Sequence, residues 1–524
     1  MRRRFERTPR ALAAALLATL GAAAGVAHAT EEASGPAPSP AAAEMLDSMR
    51  EKGLLTDDEY EELYRRQAKY EAQHAANDGL PGWLKNWTFG GDLRFRVEGR
   101  EYGNLAFDEP YRLGSENVDV ITNRGLGDET RARLRLRLGA EKQVIESLTF
   151  GFRIATGSES SYGTYFNAGG TSFGSSFNSD PRSPNVTFGD FFSPKSIFLD
   201  RAYLRWQPTF APAFTLSVGK FANPFVSDHF SSDFLVWDND IQPEGASARY
   251  RFDFVPEKFW LDARSAFFTL QERNVVTLSG FDNTTGTVDP ALPDIDEQNP
   301  FLLGFQGGLY ARPLPWLQPG VRVSYYDLQG IGTRLAAAME DFGNGGAAID
   351  RNPLFRLLGP TNPLYESGKS DGRSKEVVVD GYATLTPWGE RWTVTPFFQW
   401  MSILDANTEN NGWSVGADFG TPDFLKITVL YASLERNATF SLFTDSDAFD
   451  GFTNVKGWYV AAERNLAKGV RLRGAFMRSQ QLHADCNEDV AALCDTASQD
   501  ARLAPFRETT LDRYRWQVDL LVDF

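Results

Sequence analysis

The stretch of residues 514–524, Y-R-W-Q-V-D-L-L-V-D-F, carries the strongest local signal in the chain. Apolar and aromatic side chains occupy every second position: Tyr514, Trp516, Val518, Leu520, Val522 and Phe524. The positions between them are charged or carry an amide, apart from Leu521. Such alternation predicts a β-strand, because successive side chains of a strand point to opposite faces. One apolar and one charged face fit a wall between lipid and water, and they also fit a soluble antiparallel sheet.

The composition is compatible with a wall of this kind. The 524 residues include 40 Phe, 17 Tyr, 12 Trp and 46 Gly, which suits strands, turns and aromatic side chains at a membrane interface. The mean hydropathy of −0.35 is low. It does not exclude a membrane barrel, because only alternate residues of each strand meet lipid.

The N-terminus predicts export. Five arginines precede an apolar run at residues 11–26, and A-H-A follows at residues 27–29. This order is typical of a secretory signal peptide at residues 1–29, cleaved before Thr30. A membrane anchor is the alternative, but the apolar run is short and rich in Ala and Gly. Cleavage removes five Arg and one Glu, which changes the formal net charge from −16 to −20. No later stretch approaches the roughly twenty apolar residues of a spanning helix.

Residues 30–40 are rich in Pro, Ala and Ser and are predicted to form a linker. Residues 41–80 are predicted to form a periplasmic helical hairpin. Its first helix covers about residues 41–52, and Thr56 and Glu59 form a capping box that opens the second, to about residue 73. The hairpin is interpreted as a spacer or a local plug, with a short trimerising coiled coil as the alternative.

Cys486 and Cys494 are the two cysteines, and in an exported protein they most simply form a disulfide. A metal or redox pair is disfavoured, because the sequence has no second cysteine pair and few histidines. We therefore expect no metal site and no cofactor.

From residue 87 to residue 524, predicted strands alternate between tight turns and long polar loops. The tight connections fall near residues 142–147, 207–213, 255–258, 313–316, 386–391, 420–423 and 465–469. The longer loops fall near residues 99–128, 158–195, 222–244, 271–299, 328–375, 403–410, 435–454 and 481–508. Seven turns and eight loops give sixteen strands, or eighteen if the fifth loop contains a hairpin. The segregation of short from long connections is typical of bacterial outer-membrane barrels. The predicted fold is all-β, a transmembrane antiparallel β-barrel with a water-filled lumen.

Five segments resemble the bacterial "putative porin" family and, more distantly, alginate-export barrels. They read D-L-R-F-R at residues 92–96, R-A-R-L-R-L-R-L-G at 131–139, F-F-S-P-K-S-I-F-L-D-R-A-Y-L-R-W-Q-P at 191–208, G-K-F-A-N-P-F at 219–225 and F-L-V-W-D-N-D-I-Q-P-E-G at 234–245. The resemblance implies a channel in a Gram-negative outer membrane, with lipid and lipopolysaccharide, the barrel assembly machinery and small hydrophilic solutes as partners. A homotrimer is the usual state of porins. Tyr514, Trp516 and Phe524 resemble the C-terminal signal for barrel assembly.

If apolar positions face lipid, the alternate positions line the lumen. The predicted pore-lining residues are Arg94, Arg96, Arg131, Arg133, Arg135, Arg137, Arg201, Arg205, Arg249, Arg251, Arg471 and Arg473, and the same reasoning adds Arg153, Arg264, Arg322 and Arg515. Inward acids are fewer: Asp92, Glu98, Asp253, Asp262, Asp519 and Asp523. An arginine facing lipid costs roughly 2–4 kcal/mol near the bilayer midplane, so inward placement follows from energetics alone. Some of these arginines brace the wall by pairing with acids, and the remainder predicts a preference for anions.

The third loop is the predicted constriction. Its acids are Asp228, Asp233, Asp238, Asp240 and Glu244, interleaved with aromatic residues. General sixteen-stranded porins fold this loop into the lumen, and this chain resembles them there. We expect Asp233, Asp238 and Asp240 to face the arginines of the first two strands. The alternatives are a loop packed on the rim, or a constriction made by the first, second or fifth loop.

Three other signals are discounted. Residues 445–451, D-S-D-A-F-D-G, have the wrong spacing for a calcium loop and are interpreted as an acidic, solvated seventh loop. Asp228, His229 and Ser231 lie too close in sequence for a hydrolytic triad, and no G-x-S-x-G or H-E-x-x-H motif accompanies them. The arginine rows alternate with leucines that need an apolar environment, so no nucleic-acid partner is expected.

These observations predict passive diffusion of small hydrophilic solutes or ions, favouring anions, and no enzymatic activity. The alternatives are an export channel for a specific substrate or an alginate-like polysaccharide, and a structural barrel that tethers the envelope through residues 41–73.

Overall fold

The structure is a computed structural model. It describes residues 40–52, 55–56, 59–67, 87–102, 129–157, 165–166, 172–173, 182–189, 191–227, 230–270, 281–282, 287–288, 301–329, 374–406, 409–441, 443–482 and 512–524. The predicted signal peptide, most of the predicted linker, and both cysteines lie outside these residues.

Sixteen long antiparallel strands form one closed sheet. In chain order β1 to β16 are Trp87–Tyr102, Glu129–Ile145, Leu148–Gly157, Ser196–Trp206, Phe214–Lys220, Glu244–Val255, Phe259–Thr269, Phe301–Ala311, Leu317–Gln329, Ser374–Leu385, Val394–Ile403, Gly412–Phe419, Lys426–Leu434, Val455–Ala467, Val470–Gln481 and Asp512–Asp523. Each strand pairs with the next one along the chain, and β16 pairs with β1. The ring therefore has no open edge.

The closing pair joins the two ends of the barrel segment. Asp92 lies opposite Asp523, Arg96 opposite Asp519, and Glu98 opposite Gln517. Beyond β16, the backbone N–H of Phe524 donates to the carbonyl of Gly91 at 3.1 Å, and the N–H of Gly91 donates to the carbonyl of Phe524 at 2.9 Å. The predicted closure of the last strand on the first is confirmed.

The connections follow the predicted segregation of lengths. Seven short turns join β2 to β3, β4 to β5, and so on to β14 and β15, while the longer connections lie at the opposite end of the strands. Two strands run further into their turns than predicted, since β2 continues to Ile145 and β14 to Ala467. β9 pairs directly with β10, so the fifth loop adds no strand to the ring, and the count is sixteen rather than eighteen.

The two faces of the wall differ as the alternation predicts. On β1, Phe95 is exposed while Arg94 and Arg96 are buried, and on β16 the side chains of Arg515 and Asp519 are buried. Large apolar side chains are exposed around the outside, among them Phe305, Trp400 and Trp458. The outer face is the one suited to lipid, and the inner face is polar on these strands.

The second long connection contributes a short piece of wall. Residues Val186–Thr187 pair with Leu134 and Arg133 of β2, above the point where β3 ends. Two further pairs of short strands lie in the long connections: Tyr165–Phe166 with Ser172–Phe173, and Phe281–Asp282 with Thr287–Val288.

The segment before the barrel contains two helices. α1 is Pro40–Glu51 and α2 covers residues 59–67. The capping box is present, because the Glu59 carboxylate accepts the backbone N–H of Thr56 at 2.9 Å and the Glu59 N–H donates to the Thr56 hydroxyl at 3.3 Å. The Tyr60 hydroxyl donates to Asp47 at 2.7 Å, so the helices contact each other. No helix among the described residues has the length and apolar character to cross a membrane.

Candidate functional site: two loops inside the ring

The third loop, residues 221–243, lies inside the ring of strands. Its side chains reach inward-facing residues on distant strands: Asp233 contacts Arg322 of β9, Ser231 contacts Asp418 of β12, and Phe234 contacts Tyr459 of β14. A loop packed on the rim could not reach the inner faces of all these strands. The loop therefore occupies the lumen, as predicted.

A buried ion cluster anchors this loop to the wall. Arg322 of β9 pairs with Asp233 of the loop and, at 2.9 Å, with Asp380 of β10. The same guanidinium donates to the carbonyl of Phe225 at 3.1 Å and lies 4.0 Å from the ring centroid of Phe230. Breaking such a pair would leave a buried charge without its partner, which is energetically costly, so the cluster fixes the position of the loop.

Aromatic packing fills the space behind the anchor. Trp237 stacks on Phe443 of the seventh loop with ring centroids 4.6 Å apart and meets Tyr326 of β9 at 5.4 Å. The Phe225 ring lies beside Gly304 of β8, where any Cβ would overlap the ring. An apolar core therefore lies within the barrel, against the inner faces of β7 to β11 and β13 to β15.

The seventh loop, residues 435–454, also lies in the lumen, so the prediction of a solvated loop was wrong. The backbone N–H of Asp238 donates to the carbonyl of Phe443 at 2.6 Å, and the N–H of Asp445 donates to the carbonyl of Phe234 at 3.0 Å. Thr439 donates its hydroxyl to the buried carboxylate of Glu376 on β10 at 2.6 Å. Burial of the loop's Phe side chains and pairing of its acids with lumen arginines outweigh the solvation expected from its acidic composition.

The tip of the third loop meets the arginines of the first two strands through one residue. Asp240 pairs with Arg135 at 2.9 Å, with Arg137 at 3.3 Å and with Arg94 at 3.7 Å. Asp92 of β1 pairs with the first two of these arginines, at 2.9 and 2.6 Å. The predicted contact between loop acids and the arginine wall therefore exists at Asp240.

The other predicted loop acids lie elsewhere. Asp233 faces Arg322, as described above, and Asp238 accepts the backbone N–H groups of Asp240 and Ser446 at 2.8 and 3.1 Å. Glu244 is the first residue of β6 and pairs with Lys220 at 2.8 Å with its side chain exposed, so its assignment to the constriction loop was wrong. Asp228 and His229 lie outside the described residues.

The seventh loop supplies the second acidic contact with the arginine wall. Asp447 pairs with Arg96 of β1 and, at 2.8 Å, with Arg515 of β16. Asp450 pairs with Arg515 at 3.1 Å and with Arg100 at 3.3 Å. Sequence reasoning missed both acids. The available signal was the set of phenylalanines among them, which is unusual for a solvated loop: Phe440, Phe443, Phe449 and Phe452.

Glu98 of β1 is the centre of the wall's own pairing. It contacts Arg131, Arg133 at 3.5 Å, and Arg515 at 2.8 Å. Around it, β1, β2 and β16 present nine arginines: Arg94, Arg96, Arg100, Arg131, Arg133, Arg135, Arg137, Arg513 and Arg515. Among the described residues, six carboxylates contact them: Asp92, Glu98, Asp240, Asp447, Asp450 and Asp519. Within this part of the chain, the arginines outnumber the carboxylates that contact them directly.

The acids of the two loops fall into two groups according to whether burial and neighbouring charges lower or raise their pKa. Burial opposes ionisation of Asp240 and Asp447, but Arg135 holds the pKa of Asp240 below its usual value, and Arg96 holds the pKa of Asp447 well below it. Burial and the neighbouring Asp447 charge raise the pKa of Asp445 to about 7, while burial and Asp445 raise the pKa of Asp238 well above its usual value. Among the described residues no group of three or more His, Cys, Asp or Glu is arranged to hold a metal ion.

Half of the six remaining predicted pore-lining arginines have acidic neighbours among the described residues. Arg249 pairs with Asp262 at 2.5 Å, Arg251 with Asp253 at 2.9 Å, and Arg471 with Glu463 at 3.5 Å. The other three have neutral neighbours: Arg201 donates to Gln242 at 2.7 Å, Arg473 donates to the Tyr459 hydroxyl at 2.5 Å, and Arg205 lies 6.0 Å from the Tyr203 ring. Pairing with acids therefore accounts for three of these six arginines.

Solved barrel structures resemble this one at very low sequence identity. OprB of Pseudomonas putida shares 10% identity, with 87% of this chain and 98% of that chain covered and a TM-score of 0.45. Salmonella typhi OmpF in complex with daunomycin shares 9% identity over 84% and 97% of the two chains, with a TM-score of 0.39. A triple mutant of the Rhodopseudomonas blastica porin shares 9% identity over 84% and 100%, with a TM-score of 0.37.

The family comparison carries more weight. No curated protein sequence matches the chain. A family model described as "Putative porin" matches residues 43–362 and 398–500, which is most of the sequence. The closed ring of sixteen strands and its charged lumen agree with that match. The chain therefore belongs to the "Putative porin" family, which identifies it as an outer-membrane channel rather than an enzyme.

Proposed function

We propose that the protein is a diffusion channel for small hydrophilic solutes that favours anions. The observation that supports the proposal is on one side of the lumen, where, within the described residues, nine arginines of β1, β2 and β16 are in direct contact with six carboxylates. A water-filled pore lined by an excess of one sign concentrates ions of the opposite sign and raises their flux.

The two inward loops define the constriction in this proposal. Together they extend from the apolar inner faces of β7 to β11 and β13 to β15 to the arginines of β1, β2 and β16. The open path then runs beside them, along β3 to β6, whose inward side chains include Lys220, Arg249 and Arg251 and are more exposed than the arginines under the loops. Selectivity on this path arises from the electrostatic field of these basic side chains. The driving force for diffusion is the concentration gradient of the solute.

The test is ion selectivity in planar lipid bilayers. The purified protein is inserted, and the reversal potential is measured across a tenfold gradient of potassium chloride. We expect a potential of the sign produced by chloride permeation. The Arg131→Gln/Arg137→Gln double variant, which neutralises two arginines at the edge of the cluster, should move the potential towards that of a nonselective pore.

Two arginines on α2 provide the matched control. Arg65→Gln/Arg66→Gln removes the same two charges from side chains that, within the described residues, pair with Glu61 and Glu62 of their own helix at 3.4 and 3.8 Å. It should leave the reversal potential unchanged. A cation-selective wild-type channel would refute the proposal, and so would a double variant with the wild-type potential.

A further inference from the structure

A row of four basic side chains crosses neighbouring strands of the lumen wall. Arg137 lies on β2, Arg153 on β3, Arg201 on β4 and Lys220 on β5. Arg153 is the cross-strand partner of Arg201, and Ala202, the next residue, is the partner of Lys220. Gly139 of β2, two residues after Arg137, lies beside Arg153, because a Cβ at Gly139 would be 3.4 Å from the Arg153 Cβ. The row is thus continuous across the wall.

A β-bulge directs Arg201 into the lumen. The register of β3 and β4 shifts so that Arg153 pairs with Arg201 while Ile154 pairs with Leu199, which skips Asp200. Leu199 and Leu204 are both exposed on the outer face, although their spacing of five residues would put them on opposite faces of a regular strand. The bulge therefore gives both Asp200 and Arg201 an inward side chain.

The four basic residues differ in their partners. Arg137 pairs with two aspartates, as described above, Arg153 pairs with Asp200 through its Nε, and Lys220 pairs with Glu244. Within the described part of the chain, Arg201 contacts no carboxylate within 4 Å, and its Nε donates to the neutral side chain of Gln242 at 2.7 Å. Like charges directly opposite each other on neighbouring strands are unfavourable. Arg153 therefore has one acidic partner, and the neighbouring Arg201 has none within the described residues.

The guanidinium of Arg201 is held in place with its terminal nitrogens free to bind. Gln242 is itself fixed by two sets of hydrogen bonds. Its side-chain Nε2 donates to the backbone carbonyls of Asn239 and Asp240 at 3.3 and 3.1 Å, and its backbone carbonyl accepts from the Lys220 ammonium at 3.1 Å. The terminal nitrogens of Arg201 have no protein partner in the described residues and are not among the buried unpaired atoms. A positioned guanidinium loses little freedom when it binds a planar anion through two parallel hydrogen bonds.

We propose that Arg201, together with Arg153, binds the carboxylate group of a solute that passes through the channel. Arg153 is neutralised by Asp200, whereas the adjacent Arg201 has no carboxylate partner within the described residues, so a single solute carboxylate can balance its charge. The planar fork of the guanidinium matches carboxylate geometry, whereas a lysine would act only as a point charge. This inference rests on the proposed function, because it places a binding site on the path of the favoured anions.

The test is block of chloride current by gluconate, a hydrophilic monocarboxylate, in planar bilayers at fixed chloride activity. Gluconate should reduce the wild-type conductance in a saturable manner. Arg201→Gln should raise the half-blocking concentration about tenfold, equivalent to about 1.4 kcal/mol. Arg201→Lys should behave like Arg201→Gln, because the charge remains but the fork is lost. The matched control Arg312→Gln, at an exposed arginine outside the proposed path that donates to Gln318 at 3.0 Å, should keep the wild-type value.

A second variant leaves Arg201 in place. Gln242→Glu puts a carboxylate where Arg201 now meets an amide oxygen, so the protein itself should compete with gluconate and raise the half-blocking concentration about as much as Arg201→Gln does. A wild-type half-blocking concentration in both Arg201→Gln and Gln242→Glu would overturn the proposal. A wild-type half-blocking concentration in Arg201→Lys would also overturn it, because it would mean that positive charge alone binds gluconate. Equal block by inorganic phosphate with an equal loss in Arg201→Gln would overturn the assignment to carboxylates.

These outcomes are separable from those of the proposed function. If the reversal potential shows anion selectivity but gluconate gives no saturable block, the proposed function stands and the carboxylate site is refuted. A cation-selective channel refutes the proposed function whatever gluconate does.

Discussion

Replacement of Arg322 should release the third loop from the wall. Arg322 is 3% exposed and contacts the carboxylates of Asp233 and Asp380, the Phe225 carbonyl and the Phe230 ring. Arg322→Met keeps most of the side-chain volume but leaves the two buried acids without their cation. Breaking a buried pair in this way costs about 3–5 kcal/mol. If that free energy falls on loop docking, the docking equilibrium changes by roughly two to three and a half orders of magnitude.

Amide hydrogen exchange measures this change directly. The backbone N–H groups of Val236 and Trp237 donate to the carbonyl of Asp233 at 3.0 and 2.8 Å, within the loop. Their protection should fall by at least about a hundredfold in Arg322→Met, since exchange of these amides follows local opening of the loop. Amides of the strand backbone should keep their protection, because the ring of sixteen strands does not depend on the loop.

Two further variants sharpen the result. Arg322→Met/Asp233→Asn removes one of the two buried negative charges left without a cation, and it should restore part of the amide protection of Val236 and Trp237. Arg312→Met is the matched control, at an exposed arginine that donates to Gln318 at 3.0 Å. Protection of Val236 and Trp237 within about threefold of wild type in Arg322→Met would refute the reasoning, because it would mean that the aromatic contacts alone hold the loop.

Three other predictions concern pH, assembly and the N-terminal segment. Docking of the loops raises the pKa of Asp445 from 3.8 to about 7, so protonated Asp445 stabilises docking fully below pH 3.8, and this stabilisation is lost as the pH rises through about 7. Amide protection factors at the loop–loop contact, corrected for the intrinsic pH dependence of exchange, should therefore be lower at pH 8.5 than at pH 5.5, and Asp445→Asn should reduce this difference. Phe524→Ala removes the ring that lies against Gly91 and should lower the yield of folded barrels, measured by heat-modifiable electrophoretic mobility, without changing the conductance of those that insert. Deletion of residues 30–80 should leave conductance in planar bilayers intact, since no residue of the proposed path lies there, whereas loss of secretion or a detached envelope would favour the export or tethering alternatives.

The wall of the barrel was predictable because its signal is local. Inward Arg94 and Arg96, outward Phe95 and the polar face of β16 follow from alternation between neighbouring residues. The number of strands followed from the lengths of the connections, which differ between the two ends of a barrel. One exception is the inward Asp200 beside Arg201, because the bulge that places both in the lumen breaks the period of two.

The contents of the lumen were only partly predictable. The acids of the third loop suggested contact with arginines, but composition cannot state which acid meets which arginine. Asp240 contacts arginines of β1 and β2, whereas Asp233 pairs with Arg322 of β9 on the opposite side of the lumen. The seventh loop was misread, because its acids indicate solvation when the arginines that neutralise them are distant in sequence, as Arg96 is from Asp447 by 351 positions.

The sequence by itself determined that this chain forms strands with one apolar and one charged face, limited their number to sixteen or eighteen, and indicated most of the side chains that point inward. These properties depend on residues two positions apart and on the cost of exposing arginine to lipid. Only the tertiary structure decided which loops enter the lumen and which charges neutralise each other there. Those outcomes depend on the space enclosed once β16 pairs with β1, and on the balance between desolvation and pairing among groups that meet only after closure.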